Sequence, residues 1–161
     1  MKTIKGDLLA VRSGVIVHQV NNCGLMNAGL AKAVRNAYPQ HYEGYIKVYN
    51  SYLQKYGGND YYYNHKAVKE LLGAFISTQM KPNLWVVGIF AQHGLGRNGK
   101  FTDYKAFEDA VRALNKTFST EQIYFPYGIG SGLAGGNIDT IHRIIETCVP
   151  NAILVRLEVQ L

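Results

Sequence analysis

Residues 126–136 read PYGIGSGLAGG, with five glycines between 128 and 136. The segment follows a short apolar run, IYF at 123–125, and precedes an amphipathic pattern at 138–147. A glycine-rich turn from a strand into a helix lets the main chain approach an anion closely. The unpaired N–H groups at the helix start then point toward that anion. The form is not a P-loop, because no Gly-Lys-Ser/Thr follows. Nor is it the dinucleotide fingerprint, since it lies late in the chain and no acidic residue sits about 20 positions on at a strand end. The same glycines also suit a tight turn that only needs positive φ.

Upstream, strand-like and helix-like segments alternate, the mark of a layered α/β fold. VIVHQV at 15–20 predicts a strand that ends at Asn21, Asn22 and Gly24, and 30–35 predicts a helix stopped before Pro39. From 40 to 56, Tyr42, Tyr45, Ile46, Tyr49, Tyr52, Leu53 and Tyr56 recur at three- and four-residue intervals, one face of a helix closed by Gly57-Gly58. That face reads as core packing with polar tips, and equally as a partner surface. The polar, Tyr-rich stretch 59–64 predicts a loop. Strands follow over 71–80 and 84–91, with 81–83 as a turn short enough for an antiparallel hairpin.

Residues 94–99 predict a basic glycine-rich loop. Thr102 is expected to cap the next helix, with Asp103 in its first turn and Ala106, Phe107, Ala110, Val111 and Leu114 on its buried face. A strand over 123–125, the glycine loop, a helix over 138–147 and a last strand over 152–159 complete the chain. There is no repeat or linker, so 1–161 reads as one domain.

The 161 residues are 47% hydrophobic and 17% charged, which excludes a disordered chain. No apolar run reaches the roughly 18 residues that span a bilayer. The start does not read as a signal peptide, so no membrane association and a cytoplasmic location are expected. Cys23 and Cys148 match no metal-ligand spacing and are expected to be reduced thiols. The net charge of +6 suits an anionic partner, but the basic residues are scattered, which disfavours a nucleic-acid groove.

A second anion-ready loop lies in HQVNNCGLMNAGLAKAV, 18–34, again a strand, a polar loop and a small-residue helix start. Ala28 and Gly29 allow close approach of a ligand. Asn21 and Asn22 can donate and accept hydrogen bonds as a ribose diol requires, and are also ordinary strand-end turn residues. Two such loops in one small α/β domain point to a diphosphate.

Lys5-Gly6-Asp7-Leu8-Leu9, VIVHQVN ending at Asn21, AGLA at 28–31 and GIGSGLAGG together resemble the macrodomain family, in order over nearly the whole chain. The branch most similar holds ADP-ribose-1″-phosphate phosphatases and terminal ADP-ribose protein glycohydrolases. The resemblance implies a three-layer α/β/α fold with a mixed sheet of about six strands and ADP-ribose lying across the strand ends. It implies that Asp7, next to Leu8, accepts from the adenine amino group and that Asn21 meets the distal ribose; Asn22 is expected to assist in the hydrolysis. The first phosphate loop falls on Ala28, Gly29 and Leu30. The second falls on Ile129, Gly130, Ser131, Gly132, Leu133 and Ala134.

Departures from the family pattern bear on the reaction. The place of the attacking lysine of the glycohydrolase branch reads Gln92-His93, and Ala134 stands where that branch has an aspartate. The glycine triplet of other hydrolases is Asn27-Ala28-Gly29, and a histidine of some viral relatives is Met26. A covalent lysine mechanism is therefore not expected, and protein de-ADP-ribosylation is the least favoured activity. Hydrolysis of ADP-ribose-1″-phosphate to ADP-ribose and phosphate is expected, without metal or cofactor. His93 is the first candidate acid or base, His18 the second, and Asn21 holds the ribose or the water. No Arg-bearing phosphate cradle follows Cys23, which argues against a cysteinyl-phosphate. The competing expectation is a binding module that holds ADP-ribose or a related signalling nucleotide without turnover.

Overall fold

Strand β2 (Gly14–Asn21) is buried along nearly its whole length, as befits a strand covered on both faces. A computed structural model of the protein describes residues 1–158. In it β2 pairs in parallel with β6 (Leu84–Gln92) and β7 (Ile123–Pro126). Beyond β7 lie β8 (Ile153–Arg156) and then β1 (Lys2–Lys5), both also parallel. On the other side β5 (Phe75–Lys81) pairs antiparallel with β6 through a tight turn. The sheet is thus mixed and six-stranded, in the order β1-β8-β7-β2-β6-β5.

Helices cover both faces. Helix α3 (Tyr104–Thr117) and helix α4 (Ile138–Cys148) enclose a core built on Val15, Val17, Val87, Ile89 and Phe125. The buried face of α3 is the one its spacing predicts: Ala106, Phe107, Ala110, Val111 and Leu114. On the opposite face, helix α1 (Gly29–Ala37) and helix α2 (Pro39–Tyr56) cover Val20, Ile76 and Phe90. Of the α2 tyrosines, Tyr45 and Tyr49 are buried, and each hydroxyl donates to the main chain, at Asn21 and at Lys66. The result is three layers, α/β/α. No helix among the described residues is long and apolar enough to cross a membrane.

The structure departs from the sequence expectation at five places. β1 was not marked by its pattern, because it is a short edge strand with three of four residues exposed. The stretch read as a loop at 59–64 holds strand β3 (Asp60–Tyr62), which forms a hairpin with β4 (His65–Ala67). Its turn places Tyr63 and Asn64 at φ 50° and 66°, the left-handed geometry of a two-residue hairpin without the usual glycine. The strand expected from 71 begins only at Phe75, since Lys69–Leu71 forms a 3-10 turn. Asp103, not Thr102, caps α3 by accepting from the Ala106 amide at 2.9 Å. The last strand ends at Arg156, and Val159 of the expected strand lies outside the described residues.

Candidate functional site

All five parallel strands end on the same side, and a cleft of about 990 Å³ runs along those ends. Ligand sites of open α/β sheets form outside the carboxyl ends of the strands. From β1 to β6 there are four strand spacings, roughly 19 Å in all. That length suits an extended dinucleotide-sized molecule. The first end is marked by Asp7, beyond β1, and by Arg156 at the end of β8. At the far end, beyond β6, the lining comes from Arg97 and from Tyr63 and His65 of the β3–β4 hairpin.

The middle is walled by two loops rich in unpaired amides. Ala28 stands at the N-cap of α1 and brings no side-chain oxygen to the helix start, and no acidic residue follows in the first turn. The opening N–H groups of this helix therefore lack a capping partner. By contrast, α3 and α4 are capped by Asp103 and Asn137. Across the cleft, in the loop after β7, the amides of Gly130, Gly132, Leu133 and Ala134 make no backbone hydrogen bond among the described residues. Uncommitted amides in two loops on one cleft are groups suited to an anion.

Of the expected ligand residues, Asp7, Leu8, Asn21, Ala28, Gly29, Leu30, Ile129, Gly130, Gly132, Leu133 and Ala134 line this cleft. Asn22 and Ser131 do not. The Ser131 hydroxyl turns back to the Gly128 carbonyl at 2.8 Å. The Asn21 amide organises its own loop: Nδ2 donates to the Leu25 carbonyl at 2.7 Å, and Oδ1 accepts from the Cys23 amide and the Tyr45 hydroxyl. One amide hydrogen of Asn21 is left over.

His93, the first candidate acid or base, is also outside the cleft lining. Asn22 Nδ2 lies 3.0 Å from His93 Nδ1, and His93 Nε2 lies 3.1 Å from Asp60 Oδ2. An amide nitrogen can only donate, so Nδ1 accepts and Nε2–H donates to the carboxylate. Both ring nitrogens are thus occupied, and the ring packs edge-on to Tyr62. His93 docks the hairpin onto the sheet. The Asn22 side chain is equally committed, because Nδ2 also donates to the Val68 carbonyl and Oδ1 accepts from the Gly94 amide.

His18, the second candidate, touches the cleft floor but is fully buried. Its Nε2 lies 2.9 Å from Nε2 of His41, whose Nδ1 lies 3.0 Å from the Thr78 hydroxyl. Burial, with His41 opposite, holds His18 well below the usual histidine range. Burial lowers His41 to about 4. Both stay neutral in the fold while the unfolded chain titrates near pH 6.5. The unfolded state therefore binds more protons between pH 6.5 and 4, and stability rises with pH across that window. This stabilisation is complete above the unfolded value and is lost as the pH falls toward 4. For His41 alone the loss from pH 7 to 5 is about 2 kcal/mol. Melting curves are expected to show a midpoint about 4–8 °C lower at pH 5. An unchanged or higher midpoint at pH 5 is the contrary result.

Cys23 is buried, and burial pushes its thiol up to about 12. It is no thiolate at neutral pH, which removes a cysteinyl nucleophile. Among the lining residues that the sequence did not single out are Gln19, Tyr63, His65, Arg97, Tyr127 and Arg156. His65 and Tyr63 escaped because their turn carries no glycine. Arg156 was hidden in a segment read as ordinary strand. Its guanidinium stacks over Tyr127 at 4.7 Å, giving the first end of the cleft a flat cationic wall.

No protein-family model and no curated protein matches the sequence. Solved structures do match. A protein of unknown function from Bacteroides thetaiotaomicron is 24% identical, with a TM-score of 0.77 over 98% of this chain and 97% of its own. A macrodomain protein from Streptomyces coelicolor is 22% identical, with a TM-score of 0.72 over 99% of both chains. Thermosipho africanus DarTG, solved in complex with ADP-ribose, is 16% identical with a TM-score of 0.70, over 98% of this chain and 42% of its own. The mixed six-stranded sheet between two helical layers, matched end to end by these structures, is the macrodomain fold.

Proposed function

We propose that the cleft binds ADP-ribose and that the protein hydrolyses ADP-ribose-1″-phosphate to ADP-ribose and phosphate. The observation that carries the reading is the pair of opposed amide arrays at mid-cleft, with a carboxylate at one end and Arg97 and His65 at the other. In this reading Asp7 accepts from the adenine amino group, and the two loops hold the diphosphate. The distal ribose reaches Asn21, and the terminal phosphate falls beside Arg97 and His65. The ADP-ribose complex of the similar Thermosipho protein supports the ligand.

The bond to break is the terminal P–O bond. Water attacks phosphorus, and the 1″ oxygen leaves with the electron pair and takes up a proton. His65 takes the place that the sequence assigned to His93, because it is the imidazole that lines this end of the cleft. The covalent lysine route lacks its parts. Among the described residues the cleft is lined by no lysine, and its one carboxylate is Asp7 at the opposite end. The Gln92 side chain, at the lysine position, donates to the Gly94 carbonyl at 3.0 Å.

That sparse inventory also favours a second reading, a binding module without turnover. Incubation with ADP-ribose-1″-phosphate, following phosphate and ADP-ribose with and without chelator, separates the two. Release of both products is expected in either condition. His65→Ala is expected to slow release about 100-fold while ADP-ribose still binds. Saturable binding without product establishes the module instead, and neither binding nor product sinks the ligand assignment.

A further inference from the structure

Thr102 was expected to cap a helix, yet its side chain is buried and turned toward the glycine loop. It sits just before the cap of α3, where the chain returns to the end of β6 and Gln92 and Thr102 form an isolated antiparallel bridge. The Thr102 hydroxyl donates to the Gly130 carbonyl at 2.7 Å and accepts from Gln19 Nε2 at 3.0 Å. A second donor, the Gly136 amide, reaches the same carbonyl at 2.8 Å. Two residues of the same segment grip the loop again: the Phe101 and Thr102 amides both reach the Ala134 carbonyl, at 2.7 and 3.1 Å.

These bonds act on a segment with little stiffness of its own. Glycines carry a large backbone entropy, and Gly130 has φ +69°. Unrestrained, such a loop scatters its N–H groups and must be ordered when a ligand arrives. Carbonyls at both ends of the free-amide stretch, Gly130 and Ala134, are tied to 101–102. Within this stretch the amides of Gly130, Gly132, Leu133 and Ala134 have no backbone partner, and these four residues line the cleft. The chain from Gln19 on β2 through Thr102 to Gly130 fastens this loop to the middle of the sheet.

We propose that Thr102 and Gln19 are positioning residues for the anion site, holding the Gly130 carbonyl inward so that the amides of Gly130, Gly132, Leu133 and Ala134 face the ligand's diphosphate. The inference rests on the ADP-ribose reading for the identity of that ligand, but not for the geometry of the loop. Thr102→Val keeps the shape, removes the donor to Gly130 and leaves Gln19 Nε2 without its acceptor. Thr102→Ser keeps both bonds. Gln19→Leu removes the donor to Thr102 but also changes a cleft-lining side chain, so its ligand-free loop resonances are the readout should Thr102→Val fold poorly.

The experiment records amide NMR spectra of the ligand-free proteins and titrates each with ADP-ribose. Thr102→Val is expected to move the resonances of 130–136 and to weaken ADP-ribose binding about tenfold or more. Thr102→Ser is expected to match the wild type within about twofold. Gln19→Leu is expected to fall between them. A threonine serving only stability lowers the melting midpoint and leaves the affinity of the folded protein alone, so wild-type affinity in Thr102→Val overturns the proposal. So do unmoved loop resonances. A wild type that binds no ADP-ribose, with loop amides that still shift in Thr102→Val, upholds the positioning role and overturns the ligand reading.

Discussion

Gly130→Val is expected to lower ADP-ribose affinity by at least about 100-fold, a loss of roughly 2.7 kcal/mol. Two physical effects converge on this residue. Its φ of +69° is a conformation that costs an ordinary L-residue about 1–2 kcal/mol, and a β-branched one more. A Cβ there sits 2.8 Å from Gln19 Oε1 and 3.1 Å from Thr102 Oγ1, so the new side chain strikes the two residues that anchor the loop. Whichever way the strain relaxes, the loop turns and the amides at mid-cleft lose their common aim. Calorimetric titration of the folded variant checks it, and binding within about threefold of wild type contradicts the account. Gly29, at φ +55° with open space where a Cβ would stand, shares the conformational demand without the clash.

The second large effect is on stability. Asn22→Ala is expected to cost about 4 kcal/mol, although Asn22 does not line the cleft. Its side chain is completely buried and ties its own loop to two remote segments: it donates to Val68 and to His93, accepts from the Gly94 amide, and takes a weak contact from the neighbouring Cys23 thiol. Truncation leaves several of these groups buried and unpartnered, at about 1–3 kcal/mol each. It also frees Nδ1 of His93, whose other nitrogen holds Asp60 on the hairpin. Denaturant unfolding measures the loss. A change under about 1 kcal/mol contradicts the network described here.

Periodicity made much of the architecture legible. The helix face of Ala106, Phe107, Ala110, Val111 and Leu114 emerges from the spacing alone, because an apolar stripe has one way to meet a sheet. The two phosphate-loop candidates were readable from composition: glycines and small residues between a strand and a helix let the main chain come close to a ligand, with free amides at the helix start. What escaped depends on partners remote in the chain. His93 is quenched by Asn22, 71 positions away, and by Asp60, 33 positions away. His18 is quenched by His41 on a helix that the sequence marked only for its tyrosines. Thr102 reads as the cap with Asp103 in the first turn, and only the fold shows that Asp103 turns to the helix and Thr102 to the glycine loop. The hairpin that brings His65 to the cleft carries tyrosine and asparagine in left-handed geometry, a turn without the usual local signal.

The most direct test of the central claim is a calorimetric titration of the purified protein with ADP-ribose. Saturable binding of one ADP-ribose per chain is expected, weakened about tenfold by Asp7→Ala at the base end and at least about 100-fold by Gly130→Val at the centre. No saturable heat under conditions where the protein is folded, or binding indifferent to both substitutions, contradicts it.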